Sequence, residues 1–85
     1  MLNVRERVLL DFRSEIDSLQ NNERATEDDS YSYMIDQLDI HYREKDYDDW
    51  SLNIYDIKNI VGILDNKSKD LIDCYFEVIN YLENK

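Results

Sequence analysis

Apolar side chains recur along most of this chain at intervals of three and four residues, the spacing that places them on one face of an α-helix. Four stretches show this pattern, and each is polar on its opposite face. The positions that should face inward are Val8, Leu9, Phe12, Ile16 and Leu19; Tyr31, Met34, Ile35, Leu38 and Tyr42; Ile54, Ile57, Ile60, Val61 and Leu64; and Leu71, Ile72, Tyr75, Val78, Ile79 and Leu82. Because such helices are unstable alone in water, the pattern predicts an all-α fold, a small bundle of about four short helices.

The joints between these stretches carry helix start signals. Asn3 with Glu6, and Asn53 with Asp56, have the spacing of a capping box. Thr26 precedes three acids, which suit the first turn of a helix because they face the positive end of its dipole. The predicted helices therefore begin close to these caps.

The remaining joints define the organisation of the chain. Residues 46–52 break the periodicity and form the longest predicted connection. The alternating pattern over residues 50–55 leaves a short strand there as the alternative. With 85 residues and no repeat or linker, we predict a single acidic helical domain over residues 1–85.

Negative charge is concentrated in the middle of the chain. Residues 27–56 hold ten acids and two basic residues, and so contribute −8 of the net charge of −10. The same segment holds five of the seven tyrosines and the only tryptophan. This combination is typical of a surface for a basic partner, because aromatic side chains anchor interfaces and carboxylates attract cations. It argues against direct binding to nucleic acid or to an anionic membrane.

The chain offers little chemistry for catalysis or cofactor binding. His41, the only histidine, should lie beside the core, and Cys74, the only cysteine, should pack within the last helix. Gly62 stands alone rather than in a phosphate-binding loop. A calcium loop starting at Asp46 would need glycine at its sixth position and glutamate at its twelfth, and neither is present. We therefore expect a protein that is not an enzyme and has no cofactor or metal site.

The second helix carries the clearest candidate for a binding surface. With Leu38 facing the core, helical steps of about 100° place Asp29, Tyr33, Asp36 and Ile40 in one outward line about 16 Å long. Tyr33 and Ile40 would then be apolar side chains with no core to enter. The alternative is a solvated acidic helix with scattered apolar residues.

The connection after this helix extends the candidate surface, because residues 46–50 add three acids and two aromatic side chains. Trp50 could instead plug the end of the bundle. A weaker contact such as self-association could start from Leu10, which lies nearly opposite Phe12 on the first helix. The residues predicted to contact a partner are Asp29, Tyr33, Asp36, Asp39, Ile40, Asp46, Tyr47, Asp48, Asp49 and Trp50.

Composition also indicates a compartment and a source. A single cysteine, a charged N-terminal segment and the lack of a long apolar run predict a cytoplasmic protein without a signal peptide or membrane-spanning helix. The absence of Pro and the presence of one Gly and one Ala, beside many Ile, Asn, Asp, Tyr and Lys, are typical of AT-rich genes, such as those of low-GC bacteria and their phages.

Together these features predict an acidic inhibitor that occupies a basic, often nucleic-acid-binding, surface of a partner protein. Its carboxylates could imitate phosphates, and a phage protein directed at a host enzyme or defence system fits the composition. The alternative is an immunity protein or antitoxin that neutralises a basic toxin such as a nuclease. In size, acidity, helix count and exposed tyrosines the chain is similar to the colicin-type nuclease immunity proteins. It lacks their Tyr-Tyr-Pro motif, to which residues 53–56 are the nearest approach. A transcription-related adaptor or a structural helical subunit is a third hypothesis.

Overall fold

The computed structural model describes residues 4–21, 26–43 and 53–84. The helices are α1 (Val4–Gln20), α2 (Glu27–Arg43), α3 (Ile54–Leu64) and α4 (Leu71–Glu83). Helices make up 85% of the described residues, and none of those residues lies in a strand, which confirms the predicted all-α fold. The strand alternative is wrong where it can be checked, because Asn53 caps α3 and the next two residues lie in its first turn.

The four helices form a bundle in which each helix packs on its neighbours in the chain and α1 also packs on α4. Two contacts show how α1 meets α4. The rings of Phe12 and Tyr75 meet edge to face, with their centroids 5.1 Å apart, while Arg5 reaches the carbonyl of Leu82 at the other end of the pair. The first helix of the chain, α1, therefore packs directly on the last, α4.

Each helix contributes to a single core, and the predicted inward positions supply nearly all of it. Tyr31, Ile35, Ile57, Leu71 and Ile72 pack against that core while partly buried. The buried apolar residues are Val8, Leu9, Phe12 and Ile16 of α1; Met34 and Leu38 of α2; Ile60 and Leu64 of α3; and Cys74, Tyr75, Val78, Ile79 and Leu82 of α4.

One predicted inward position is exposed, and two others, Tyr42 and Val61, are partly buried without belonging to the core. Ile54 is 41% exposed, whereas Asp56, two residues later, is buried. The acid tolerates burial because its oxygens accept hydrogen bonds from the backbone N–H of Asn53 and from the hydroxyl of Tyr81, the latter at 2.7 Å. Two residues correspond to about 200° around a helix, so the burial of Asp56 turns Ile54 towards solvent.

The caps confirm two of the three predicted helix starts. The backbone N–H of Asp29 donates to the Thr26 hydroxyl at 3.1 Å, and Asn53 with Asp56 forms a reciprocal capping box on α3. Asn3 lies outside the described residues. At the end of α4, the Arg5 guanidinium donates to the carbonyl of Leu82 at 3.1 Å and offsets the negative end of that helix.

Candidate partner-binding surface

The rotation of α2 is fixed by its inward face. Met34 and Leu38 are buried in the core, and two polar residues, Ser30 and His41, are buried on the same face. Buried polar groups are stable only with hydrogen-bond partners, so the positions of those partners determine which way the helix can turn. Both residues find a partner on α1.

Ser30 is held from two sides. Its hydroxyl donates to the Glu15 carboxylate at 3.0 Å and lies 2.9 Å from the hydroxyl of Tyr75, which is fully buried. Since the single Ser30 proton goes to Glu15, the Tyr75 hydroxyl donates to the Ser30 oxygen. Burial raises the pKa of Tyr75 to about 12, so this tyrosine stays neutral at physiological pH. The chain of hydrogen bonds links α1, α2 and α4.

His41 makes the second link between α2 and α1. Its Nε2 lies 3.1 Å from an oxygen of Asp11, and the ring lies beside the core as predicted, although it is buried more completely than the predicted partial burial. Ser30 and His41 lie three helical turns apart, so the two contacts hold α2 against α1 along most of its length. The opposite face of α2 must consequently point away from the bundle.

That opposite face carries what we call the outward line, which consists of Asp29, Tyr33, Asp36 and Ile40. All four residues are exposed, as the sequence pattern predicts. The side chains of Tyr33 and Ile40 are 47% and 42% exposed. Nearly half of each of these two large apolar residues therefore remains accessible to water beside carboxylates, and the two lie seven residues or about 10 Å apart along the helix.

The acids of the outward line have no basic partner within the described part of the chain. The ion pairs found there join Arg13 to Glu83, His41 to Asp11, Arg43 to Asp39 and Lys69 to Glu77. Asp29 and Asp36 take part in none of them. Their charge is therefore available to an outside cation, screened only by solvent and salt over a Debye length of about 10 Å at 0.1 M ionic strength.

The side of α2 that faces α3 is different, because positive charge lies close to it. The ammonium group of Lys67 lies 5.7 Å from the centre of the Tyr31 ring, and the Tyr31 hydroxyl donates to Asp65. A cleft of about 190 Å³ here is lined by Glu27 and Asp28 of α2 together with two lysines. These acids are partly balanced within the molecule, unlike those of the outward line.

The predicted contact residues divide into two groups. Asp29, Tyr33, Asp36, Asp39 and Ile40 are all exposed on α2, and Asp39 is paired with Arg43 four residues later at 3.0 Å. The other five predicted residues, Asp46, Tyr47, Asp48, Asp49 and Trp50, lie outside the described residues. The structure therefore brings together the helical half of the predicted surface.

Exposed apolar side chains also lie on the remaining helices. Leu10 of α1 is 54% exposed, as its off-face position predicts. Tyr55 and Phe76 are also exposed and were not among the predicted contacts, although Phe76 stands outside the apolar stripe of its helix and could have been noticed on that ground. Tyr55 directly follows the exposed Ile54, and Phe76 lies four residues after the partly buried Ile72, whereas Tyr33 and Ile40 are two exposed apolar residues seven positions apart on one face of α2.

The described residues show few groups suited to chemistry. Cys74 is buried, and burial raises the pKa of its thiol, which disfavours the reactive thiolate. Within the described ranges, no three His, Cys, Asp or Glu side chains are grouped closely enough to hold a metal ion. None of the helices in that part of the chain is long and apolar enough to cross a membrane.

Comparison with known proteins adds no assignment. No protein-family model, no curated protein and no solved structure matches this chain.

Proposed function

We propose that this protein is a non-enzymatic acidic inhibitor that occupies a basic surface of a partner protein through the outward line of α2. The observation that carries the proposal is the exposure of Tyr33 and Ile40 between acids that have no basic partner in the described part of the chain. The fold leaves the apolar surface of those two side chains exposed, and burial in an interface would remove it from water.

The two kinds of side chain have different roles in such a contact. Asp29 and Asp36 attract a basic surface at a distance and so increase the association rate. Tyr33 and Ile40 then provide the desolvated contact that slows dissociation, and a buried tyrosine is among the residues whose removal weakens interfaces most. Charge alone, at exposed positions, contributes little to affinity.

The fixed position of α2 supports the same proposal. Its rotation is determined by Ser30 and His41, which are both buried and hydrogen-bonded to α1. A surface on a helix held in this way loses little conformational freedom on binding, so more of the interaction energy appears as affinity.

The partner class follows from charge. A surface that accepts carboxylates should be basic, and proteins that bind nucleic acids carry basic surfaces because they neutralise phosphates with Lys and Arg. A basic toxin is the alternative partner, which would make the protein an immunity protein or antitoxin. Both partners would use the outward line, so the identity of the captured protein decides between them.

Affinity capture with matched baits tests the proposal. The immobilised protein, its Asp36→Lys variant and its Asp17→Lys variant are exposed to lysate of the encoding organism or its host, and bound proteins are identified by mass spectrometry. Asp17 is an exposed acid on α1 and serves as the control. We expect a basic partner that the parent and Asp17→Lys retain and Asp36→Lys loses.

Added DNA distinguishes the partner classes. A nucleic-acid-binding partner should be released by competing duplex DNA, whereas a toxin held away from its nucleic-acid site should stay bound. Equal capture by all three baits would contradict the proposal, because it would show that the outward line is not the contact.

A further inference from the structure

The spacing along the exposed face of α2 points to a particular kind of basic surface. Asp29, Tyr33, Asp36, Ile40 and Arg43 follow one another at steps of four, three, four and three residues, and all are exposed. This is the spacing of a coiled-coil seam, in which positions recurring on average every 3.5 residues stay in line with a neighbouring helix. The line spans about 21 Å from Asp29 to Arg43.

Acidic and apolar side chains alternate along this seam. Tyr33 and Ile40 are the apolar positions, and Asp29 and Asp36 are the acidic positions between and before them. A helix running alongside α2 presents its own side chains at the same rise, so its residues at a separation of seven would meet Tyr33 and Ile40 in succession. Basic residues between them would meet the two acids.

We propose, as an extension of the function proposed above, that the occupant of this seam is an amphipathic basic helix of the partner, lying along α2. Arginine or lysine side chains face Asp29 and Asp36, and apolar side chains of the partner helix cover Tyr33 and Ile40.

Charge density favours a helix over a groove built for duplex DNA. B-form DNA carries one phosphate charge for about every 1.7 Å of axis, or about twelve over the 21 Å of this seam. The exposed face of α2 offers three acids along that length, Asp29, Asp36 and Asp39, and the last is paired with Arg43. A phosphate-binding groove would also leave Tyr33 and Ile40 without an apolar counterpart.

Two synthetic peptides test the inference on the intact protein. The first is an 18-residue helical peptide, about 27 Å long, with leucine and arginine alternating at steps of four and three residues. The second has the same composition and comparable helicity, with leucine and arginine distributed around the helix. Affinity is measured by fluorescence anisotropy, and the contact is mapped by NMR chemical-shift changes.

The expected result is binding of the patterned peptide at least about tenfold tighter than that of its rearranged isomer, with shift changes centred on Tyr33 and Ile40. Tyr33→Ala should lower the affinity for the patterned peptide about tenfold, while Tyr55→Ala, which removes an exposed tyrosine on α3, should leave it unchanged.

The contradicting results separate the two proposals. Equal binding of both peptides, weakened in each case by Asp36→Lys, would overturn the helical occupant and leave the acidic contact surface standing. Failure of both peptides to bind, or binding indifferent to both Asp36→Lys and Tyr33→Ala, would overturn the helical occupant and count against the outward line as a contact for basic partners.

Discussion

The two faces of α2 differ in whether contacts within the molecule bury their apolar side chains and pair their polar ones. On the inward face, Met34 and Leu38 are buried by apolar neighbours, and Ser30 and the Nε2 of His41 have hydrogen-bond partners on α1, while the Nδ1 of His41 is buried without a partner in the described part of the chain. On the outward face, apolar side chains are left in water and the acids of the outward line have no basic partner in the described part of the chain. Both faces alternate polar and apolar residues, so composition alone does not distinguish them.

The contrast shows what distinguishes a structural face from a candidate binding face. A polar residue on a structural face has a partner inside the fold, and an apolar residue there is covered. On a candidate binding face, polar residues have no partner inside the fold and apolar residues are not covered. These residues also follow a helical spacing. Single exposed apolar residues such as Leu10 do not meet this criterion, because isolated ones are common on protein surfaces.

The largest expected effect separates two residues of α2 that lie two positions apart. Leu38→Ala should lower the free energy of unfolding by about 2–5 kcal/mol, because it leaves a cavity in the core. Ile40→Ala should change it by no more than about 0.5 kcal/mol, since the residue is half exposed and alanine favours the helix. Urea denaturation followed by circular dichroism measures both. Equal losses would show that the outward line is part of the core.

High pH should destabilise the inward face through Tyr75. In the unfolded chain this tyrosine ionises near pH 10.0, whereas in the folded protein burial raises its pKa to about 12. The contribution of Tyr75 to the free energy of unfolding is fully present below pH 10 and is lost as pH rises through 12, by about 2–3 kcal/mol in total. Urea titrations across this range should show the decline.

The Tyr75→Phe variant is the control for this prediction. Its decline should be shallower, although some should remain because the hydrogen bond to Asp65 raises the pKa of Tyr31. At neutral pH the variant should lose about 1 kcal/mol, since Ser30 keeps its bond to Glu15. Identical pH curves for the parent and the variant would show that Tyr75 does not ionise with an altered pKa.

The start of α2 should contribute a smaller amount. Thr26→Ala removes the oxygen that accepts the backbone N–H of Asp29, and loss of such a cap costs about 1 kcal/mol. Ser32→Ala, an exposed change inside the same helix, should alter stability by less than about 0.5 kcal/mol. Chemical denaturation measures the free energy of unfolding of both variants. An unchanged value for Thr26→Ala would mean that α2 does not depend on this cap.

Much of the fold was open to prediction because its information is local. The periodicity of apolar residues gives the helices, and hydrogen bonds between residues three apart give the caps at Thr26 and Asn53. The outward position of Tyr33 follows from the phase of the same helix. None of these inferences requires knowledge of how the helices pack on one another.

Other features depend on contacts between helices and were beyond the sequence. The sequence predicts Asp56 only as a capping-box residue, and its burial depends on the hydroxyl of Tyr81, which lies on another helix. Ser30 and Tyr75 are hydrogen-bonded although they lie 45 residues apart in the sequence. They meet because of the way α2 and α4 are positioned relative to each other in the bundle. The periodicity of residues within one helix carries no information about where another helix lies beside it.

Salt should affect the outward face and leave the inward face largely unchanged. Raising the ionic strength from 0.1 to 1 M shortens the Debye length from about 10 to 3 Å and removes most of the attraction between exposed charges. We expect the association rate with a basic partner to fall steeply, and Asp36→Lys to slow association even at low salt. Surface plasmon resonance measures both. A salt-independent rate would mean that these acids do not guide binding.

The central claim, that the outward line is a contact surface, is tested most directly by two double variants and one affinity measurement. Tyr33→Ala with Ile40→Ala removes both apolar residues of the line, and Leu10→Ala with Phe76→Ala removes two comparably exposed residues from α1 and α4. Binding to the captured partner is measured by isothermal titration calorimetry. The first variant should lose at least about 2 kcal/mol of binding free energy and the second less than about 0.5 kcal/mol. The reverse ranking would contradict the claim and move the contact to the α1–α4 side of the bundle.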